Sequence, residues 1–134
     1  MALTEDLEPC AFDAPDYWVR GIVDLMILDG DTAFVVDYKT GSNRYPDVKQ
    51  LKLMALMIFE HFIEIQTAST ALLFVVHNSF IPETYRRADR QKLWDEFKPD
   101  LARLSHSVDN GHWPKNPSGL CGYCSVTTCE FNRS

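Results

Sequence analysis

The sequence has no hydrophobic run long enough to cross a membrane. A transmembrane helix needs about 20 consecutive apolar residues, and no stretch of the chain approaches that length. The first ten residues, MALTEDLEPC, are acidic, whereas a secretory signal starts with a basic segment that leads into an apolar one. We therefore expect a soluble, intracellular (cytoplasmic) protein that has no membrane partner.

Two other kinds of pattern are missing. The six glycines form no glycine-rich phosphate-binding loop. No serine or cysteine stands in a recognisable nucleophile motif, and no internal repeat or low-complexity segment is present. The sequence therefore gives no support to a P-loop enzyme, an enzyme with a covalent intermediate, or a repeat protein.

Positive charge is also scarce, with 13 Lys and Arg against 19 Asp and Glu and a net charge of −6. Phosphate binding depends on Lys and Arg, so this balance argues against a nucleic-acid partner. Carboxylates that hold divalent cations weaken the objection, because the bound cations reverse the local sign. Arg86, Arg87, Arg90 and Lys92 form one basic stretch, which could follow a DNA backbone or begin a charged helix.

What is present is the composition of a globular domain, with 46% hydrophobic and 24% charged residues in 134. We predict a single domain with a lead-in at 1–16, a core at 17–107 and a cysteine-containing segment at 108–134. The order of strands and helices predicts an α/β fold with a mixed sheet flanked by helices. The predicted elements are strands at 17–28, 33–39 and 71–76, a hairpin turning near Asn78 and Pro82, and helices at 47–62 and 88–107, the second kinked or split by Pro99.

Two aspartates and a lysine are the most informative residues. Asp24 lies in GIVDLM and Asp37 in FVVDYK, and a turn signal at Gly30 separates the two segments. An antiparallel pair that turns at Gly30 would place Asp24 opposite residue 36 or 37. Asp37 and Lys39 are two residues apart, so they share one face of a strand. The pattern thus predicts two carboxylates and an ammonium close together.

This set of groups suits the hydrolysis of phosphodiesters. Mg²⁺ is commonly held by one or two carboxylates together with water and phosphate oxygens, and a bound metal lowers the pKa of its water. Asp24 and Asp37 would be ligands, the main-chain carbonyl of Tyr38 a third, and Lys39 would position the nucleophile. A solvated pair on a strand face is the alternative. Both carboxylates lie in apolar runs, however, where an unpaired charge costs several kcal/mol or more.

The segment GIVDLMILDGDTAFVVDYKTGS resembles the catalytic core of the RecB-like PD-(D/E)XK nucleases. In that family a G-x-x-D motif precedes a strand that carries (D/E)-x-K and then Thr-Gly, as in Asp37 to Gly41. The resemblance implies a restriction-endonuclease-like fold and a DNA nuclease, more often an exonuclease, that depends on Mg²⁺ or Mn²⁺. It also implies a substrate that is single-stranded or has free ends, and a role in recombination, repair or phage DNA processing.

The family pattern extends to a helix with the motif Q-x-x-x-Y. Gln50 matches its glutamine and is expected to contact the site, whereas Met54 stands in place of the tyrosine. Many members also carry a metal-ligating His or Glu upstream, and here only Glu5 or Glu8 could take that role. The rival predictions are therefore a catalytically degenerate DNA-binding or complex-forming module of the same fold, and a zinc-stabilised protein-interaction domain.

Three of the four cysteines crowd at the C-terminus as Cys121-x2-Cys124-x4-Cys129, and Cys10 could be a fourth ligand. Four thiolates can bind Zn²⁺ or a [4Fe–4S] cluster, and the spacing does not separate the two. The resemblance implies an iron–sulfur cluster that fastens the C-terminus to the core, with Zn²⁺ as the alternative. Reduced cysteines without a metal are the simpler interpretation.

Overall fold

The structure is a computed structural model that describes residues 1–132. The chain divides into two compact units, Met1–Phe97 and a second that begins at Lys98. No helix among the described residues is long and apolar enough to span a membrane. The elements are β1 (Ala2–Leu3), β2 (Pro9–Cys10), β3 (Val19–Arg20), β4 (Leu25–Asp29), β5 (Thr32–Lys39), α1 (Lys49–His61), β6 (Thr67–Phe74), β7 (Ser79–Arg86), α2 (Arg90–Asn110) and two 3₁₀ turns, Arg87–Asp89 and Gly119–Tyr123.

The first unit is built on a four-stranded sheet in the order β4-β5-β6-β7. β4 and β5 form an antiparallel hairpin, β5 and β6 are parallel, and β6 and β7 are antiparallel. The first hairpin turns through two residues, and Gly30 adopts the positive φ of 58° that a tight turn needs and that glycine adopts without strain. Because α1 connects two parallel strands, the predicted β-α-β unit and the mixed α/β fold are confirmed.

Helix α1 supplies much of the core. Asp47 precedes it, and Asp47 Oδ1 accepts a hydrogen bond from the Lys49 N–H at 2.9 Å, which satisfies one of the free donors at the helix start. The helix buries most of its surface, as its wide apolar face predicts. Its buried residues are Leu51, Met54, Ala55, Leu56, Met57, Ile58 and Phe59.

The two faces of β5 differ sharply. Ala33, Val35 and Asp37 are buried, whereas Phe34 and Tyr38 are exposed and Val36 is half-buried. This is the alternation of a strand whose successive side chains point to opposite faces. Asp37 is thus the one carboxylate in a row that otherwise contributes to the core.

The strand predicted over residues 17–28 is wrong as a single element. The structure has β3 and β4 instead, with Gly21 to Asp24 outside both. At Gly21 the chain passes close to α1, because a Cβ at this position would meet the Met57 sulfur at 3.3 Å. The Gly21 N–H bonds to the Met1 carbonyl rather than continuing into the large sheet. β3 therefore belongs to a small antiparallel sheet, β2-β1-β3, that the sequence pattern did not predict.

The strand predicted over residues 71–76 is displaced. β6 ends at Phe74, and Val75 and Val76 are exposed in the turn that follows. Asn78 occupies the left-handed region with φ 46°, so the predicted turn near Asn78 is confirmed. Pro82 lies inside β7 rather than in the turn. Among the described strands β7 pairs only with β6, and an edge strand tolerates proline.

Helix α2 runs through Pro99 without being split in two. Leu93, Trp94 and Phe97 of this helix are buried, whereas Leu104 is 52% exposed. The Trp94 indole N–H donates to Glu60 Oε1 at 2.8 Å, which ties the start of α2 to α1.

Arg87 is a structural residue of the first unit. Its guanidinium donates to the Ile65, Phe59 and Phe62 carbonyls at 2.5, 2.7 and 2.5 Å. Two of these carbonyls belong to the last turn of α1 and its cap, where backbone acceptors lack helical partners. Arg90 in turn forms an ion pair with Glu60 at 2.8 Å. For these two arginines the observed partners favour the helix-start interpretation over contact with a DNA backbone.

Candidate active site

Asp37 is the centre of the candidate site. The residue is 4% exposed, and its Oδ1 accepts a hydrogen bond from Gln50 Nε2 at 2.8 Å. The other oxygen, Oδ2, lies 2.7 Å from Lys39 Nζ, but the geometry is that of an ion pair without a proper hydrogen bond. Oδ2 therefore accepts no hydrogen bond from any residue that the structure describes. This buried oxygen therefore has the Lys39 ammonium as its partner and keeps a lone pair for a metal ion.

Gln50 connects the two charged groups. Its Oε1 accepts a hydrogen bond from Lys39 Nζ at 2.7 Å, and its amide nitrogen donates to Asp37. The residue lies in the first turn of α1, so the helix fixes the amide against β5. Lys39 and Asp37 share one face of their strand, and Gln50 holds both from the opposite side. The predicted contact between Gln50 and the aspartate–lysine pair is present, and the role of Gln50 in a reaction stays a prediction.

Asp24 lies one residue before β4, not within a strand, and it is exposed. The register of β4 and β5 pairs Leu25 with Val36, so its continuation by one residue places Asp24 level with Asp37. The carboxylate of Asp24 accepts the Tyr38 N–H through Oδ2 at 2.9 Å, which satisfies a backbone donor beyond the end of the ladder. The predicted alignment with Asp37 therefore agrees with the register, but the expected burial of Asp24 was wrong.

The donor set suits a hard cation held by few protein ligands. Among residues 1–132 no group of three or more His, Cys, Asp or Glu side chains could hold a metal ion. Glu5 and Glu8 are exposed and supply no third carboxylate to such a group. Mg²⁺ needs only one or two carboxylates, because water and substrate phosphate complete its coordination. The buried Asp37 Oδ2 and the aligned Asp24 fit that requirement.

A cleft of about 260 Å³ opens beside this group. Its lining combines Lys39 and Gln50 with apolar side chains of β6 and with the segment between β5 and α1. The sequence analysis did not predict that this segment lines the cleft. The signal that it offered was an aromatic residue, Tyr45, in a loop next to the motif. The lining residues are Lys39, Gly41, Ser42, Tyr45, Pro46, Asp47, Gln50, Leu72 and Phe74.

The cysteines are not arranged as a metal site in the part of the chain that the structure describes. Cys10 lies in β2 and is half-buried, Cys121 lies in the 3₁₀ turn Gly119–Tyr123 and is half-buried, and Cys124 and Cys129 are exposed. All four are free thiols. Cys121 Sγ accepts the Ser118 N–H at 3.3 Å, so this thiol closes a local capping interaction. The cluster that the sequence resemblance implies stays a prediction.

Comparison of the chain with models of protein families shows which family it belongs to. A family model described as the PD-(D/E)XK nuclease superfamily matches residues 3–129. The chain belongs to this superfamily. No curated protein matches the chain. Membership supports a nuclease that acts on nucleic acid, and enzymes of the superfamily typically use Mg²⁺ or Mn²⁺.

The superfamily's motif maps onto the site described above. Asp37-Tyr38-Lys39 provides its (D/E)-x-K element, and Asp24 stands at its first aspartate, preceded by Val23 instead of proline. In this PD-(D/E)XK chain the two motif halves come from a β-hairpin, since β5 carries the second half and the first lies directly before β4. Of the site residues assigned from the sequence, Lys39 and Gln50 contact the buried Asp37 carboxylate.

Proposed function

We propose that this protein is a divalent-metal-dependent DNA nuclease that hydrolyses phosphodiester bonds at the Asp37 site. The observation that carries the proposal is the buried Asp37 carboxylate, whose Oδ2 meets the Lys39 ammonium at 2.7 Å but accepts no hydrogen bond from the described residues, while Gln50 holds Oδ1. A carboxylate oxygen has two lone pairs, and this single contact leaves one of them for a metal ion. A site of this kind is poised for a metal.

Each residue has a distinct part in the proposed reaction. Asp24 and Asp37 would hold a Mg²⁺ or Mn²⁺ ion, with the main-chain carbonyl of Tyr38 as a third ligand. A bound ion would supply an acidified water and positive charge beside the phosphate. Lys39 places its ammonium beside the attacking water and the scissile phosphate, where positive charge stabilises the transition state. Gln50 is a positioning residue, because it fixes Lys39 relative to Asp37 through its two ends.

Exonucleolytic action on DNA that is single-stranded or has free ends is the finer part of the proposal. Two considerations support it. The motifs resemble those of the RecB-like nucleases, and the cleft beside Lys39 measures about 260 Å³, which is too small to enclose a duplex whose major groove alone is about 12 Å wide. A strand end can enter such a cleft more readily than the middle of a duplex.

Cleavage of labelled DNA tests the proposal. End-labelled linear single strands, linear duplexes and circular single strands are incubated with Mg²⁺ or Mn²⁺, and then with a chelator. Metal-dependent degradation of linear but not circular strands is expected, with Asp37→Asn and Lys39→Ala reducing the rate by about 10³-fold or more. Asp29→Asn is the matched control, because Asp29 is an exposed aspartate at the end of β4, where it pairs with Thr32 at the far end of the hairpin from Asp37. Folded Lys39→Ala protein that cleaves at the wild-type rate would refute the assignment.

A second candidate function is a degenerate module that binds DNA without cutting it. One observation favours it, namely that no third His, Asp or Glu joins Asp24 and Asp37 within residues 1–132. The same experiment separates the two, because the degenerate module shifts labelled DNA in a gel but leaves it intact at every metal concentration. Cleavage that is lost in Asp37→Asn would exclude it.

A further inference from the structure

Tyr45 is an aromatic residue that the fold leaves outside the core. It lies between β5 and α1, and 84% of its surface is exposed. Its ring lines the cleft that Lys39 and Gln50 also line, and the Arg44 guanidinium lies 5.7 Å from the ring centroid. An exposed ring gains nothing from hydrophobic burial. What distinguishes Tyr45 from the other exposed aromatic residues is its place in the lining of the cleft beside Lys39.

The cleft beside Tyr45 has two chemically different linings. Lys39 and Ser42 present an ammonium and a hydroxyl, which are groups that bind phosphate oxygens. Leu72 and Phe74 provide an apolar floor. A ligand that matches both linings carries an anionic part and a flat apolar part side by side. A nucleotide has this combination.

We propose that Tyr45 is the stacking platform for one nucleobase of a single strand, next to the phosphate that Lys39 contacts. The inference rests on the proposed nuclease function and adds a specificity residue to it. Stacking on an aromatic ring requires a base that has left its duplex, because a paired base is already stacked between its neighbours. It also tolerates any sequence, since every base has a π-face. Arg44, held over the same ring, supplies positive charge to the adjoining backbone.

The size of the cleft supports one nucleotide rather than several. Its volume of about 260 Å³ falls just below the range of roughly 300–1,000 Å³ that encloses drug-sized ligands. A space of this size suits one base with its sugar and phosphate. The following nucleotides must lie outside, where the exposed Arg44 is available to them.

Steady-state cleavage of single-stranded oligonucleotides by three variants tests the inference. Tyr45→Ala should raise KM by roughly 5- to 100-fold, as expected for the loss of one stacked base, with a small effect on kcat. Tyr45→Phe keeps the ring and should behave like the wild type. Tyr123→Ala is the matched control, because Tyr123 is 88% exposed but does not line this cleft. Equal KM values for Tyr45→Ala and the wild type would overturn the inference.

Substrates with one missing base locate the stacked position. An abasic residue is moved one position at a time from each end of the oligonucleotide. In the wild type it should lower kcat/KM strongly at one position, and in Tyr45→Ala the same residue should have no further effect. Independent, multiplicative losses from the two changes would show that Tyr45 and this base do not meet.

Failure of the nuclease proposal remains distinguishable from failure of this inference. If the wild type does not cleave in Mg²⁺ or Mn²⁺, the nuclease proposal fails, and binding still tests Tyr45. Fluorescence anisotropy with a labelled single strand in Ca²⁺ should then show weaker affinity for Tyr45→Ala than for Tyr45→Phe. If both variants bind as tightly as the wild type, or if duplex binds as well as single strand, the stacking role is refuted.

Discussion

Replacement of Arg87 provides the sharpest test of how the fold holds its site. Its guanidinium donates to three carbonyls around the end of α1 and lies 5.3 Å from the Phe59 ring centroid. Burial lowers the pKa of the guanidinium from its ordinary value, as expected for a group withdrawn from water. We predict that Arg87→Ala leaves all three carbonyls without this donor and loosens the helix that carries Gln50.

The contacts set the size of the effect. A hydrogen bond to a charged group contributes about 1.5–3 kcal/mol, and three bonds from one guanidinium are not additive. The loss in the free energy of unfolding for Arg87→Ala should therefore be about 3–5 kcal/mol. With an m-value of roughly 2 kcal/mol per molar urea, the unfolding midpoint should fall by about 2 M. Arg87→Lys keeps the charge but not the fork of donors, so its loss should be about half as large.

Urea unfolding followed by circular dichroism measures this, with Arg86→Lys as the matched control. Arg86 is the exposed neighbour of Arg87, and a conservative surface change should alter stability by less than about 0.5 kcal/mol. If Arg87 instead contacts DNA phosphates, Arg87→Lys would leave the urea midpoint unchanged and weaken DNA binding. That result would refute the structural role derived from the three carbonyls.

Three further predictions concern other parts of the molecule. Gln50→Ala should lower kcat by about 10- to 100-fold with the metal still bound, because the carboxylate and ammonium that the amide bridges lose their alignment; an unchanged kcat would contradict this. Burial and the nearby Glu83 and Glu96 raise the pKa of Tyr85 to about 12, so the folded state favours the neutral phenol. The stability that this shift gives the folded state is complete below pH 10 and is lost as the pH rises from 10 to 12. Unfolding in urea at pH 9 and 11 should show a smaller alkaline loss for Tyr85→Phe, and equal losses would count against the shift. In protein treated with a chelator, the exposed Cys124 and Cys129 should react with a thiol reagent before the two half-buried thiols. If the protein as isolated is coloured or contains zinc, and its four thiols all resist the reagent equally, the result would favour the cluster that the sequence resemblance implies.

Local chemistry explains which parts of the fold the sequence could predict. The hairpin follows from Gly30 between two apolar runs, since glycine accepts the positive φ of the turn. Once this turn is placed, the strand period puts Asp37 and Lys39 on one face. The helix that carries Gln50 follows from its wide apolar surface, which a 3.6-residue period brings together. These features depend on residues near one another in the chain.

The features that were mispredicted depend on tertiary contacts. The apolar run that contains Gly21 looks like one strand, but its glycine packs close to Met57 of α1 and the chain leaves the sheet there. Val75 and Val76 have strong strand propensity, yet they lie in the turn after β6 because pairing with β7 starts at Phe74. Tertiary pairing outweighs propensity at such positions.

The site shows the same division. Asp37, Lys39 and Gln50 were identified from a motif, and the structure brings all three into direct contact. Tyr45 was not identified, because a tyrosine in a loop carries no motif and its position beside the cleft depends on how the segment between β5 and α1 folds. Its value as a candidate comes from exposure and neighbours, which the sequence does not encode locally.

The most direct test of the central claim is metal binding at Asp37. Isothermal titration of the chelator-treated protein with Mn²⁺ or Mg²⁺, without DNA, measures binding independently of cleavage. Wild type and Asp29→Asn should bind the metal, whereas Asp37→Asn should lose at least tenfold in affinity while keeping its urea midpoint near that of the wild type. Metal affinity that is the same in folded Asp37→Asn and in the wild type would contradict the assignment of the buried carboxylate as the metal ligand.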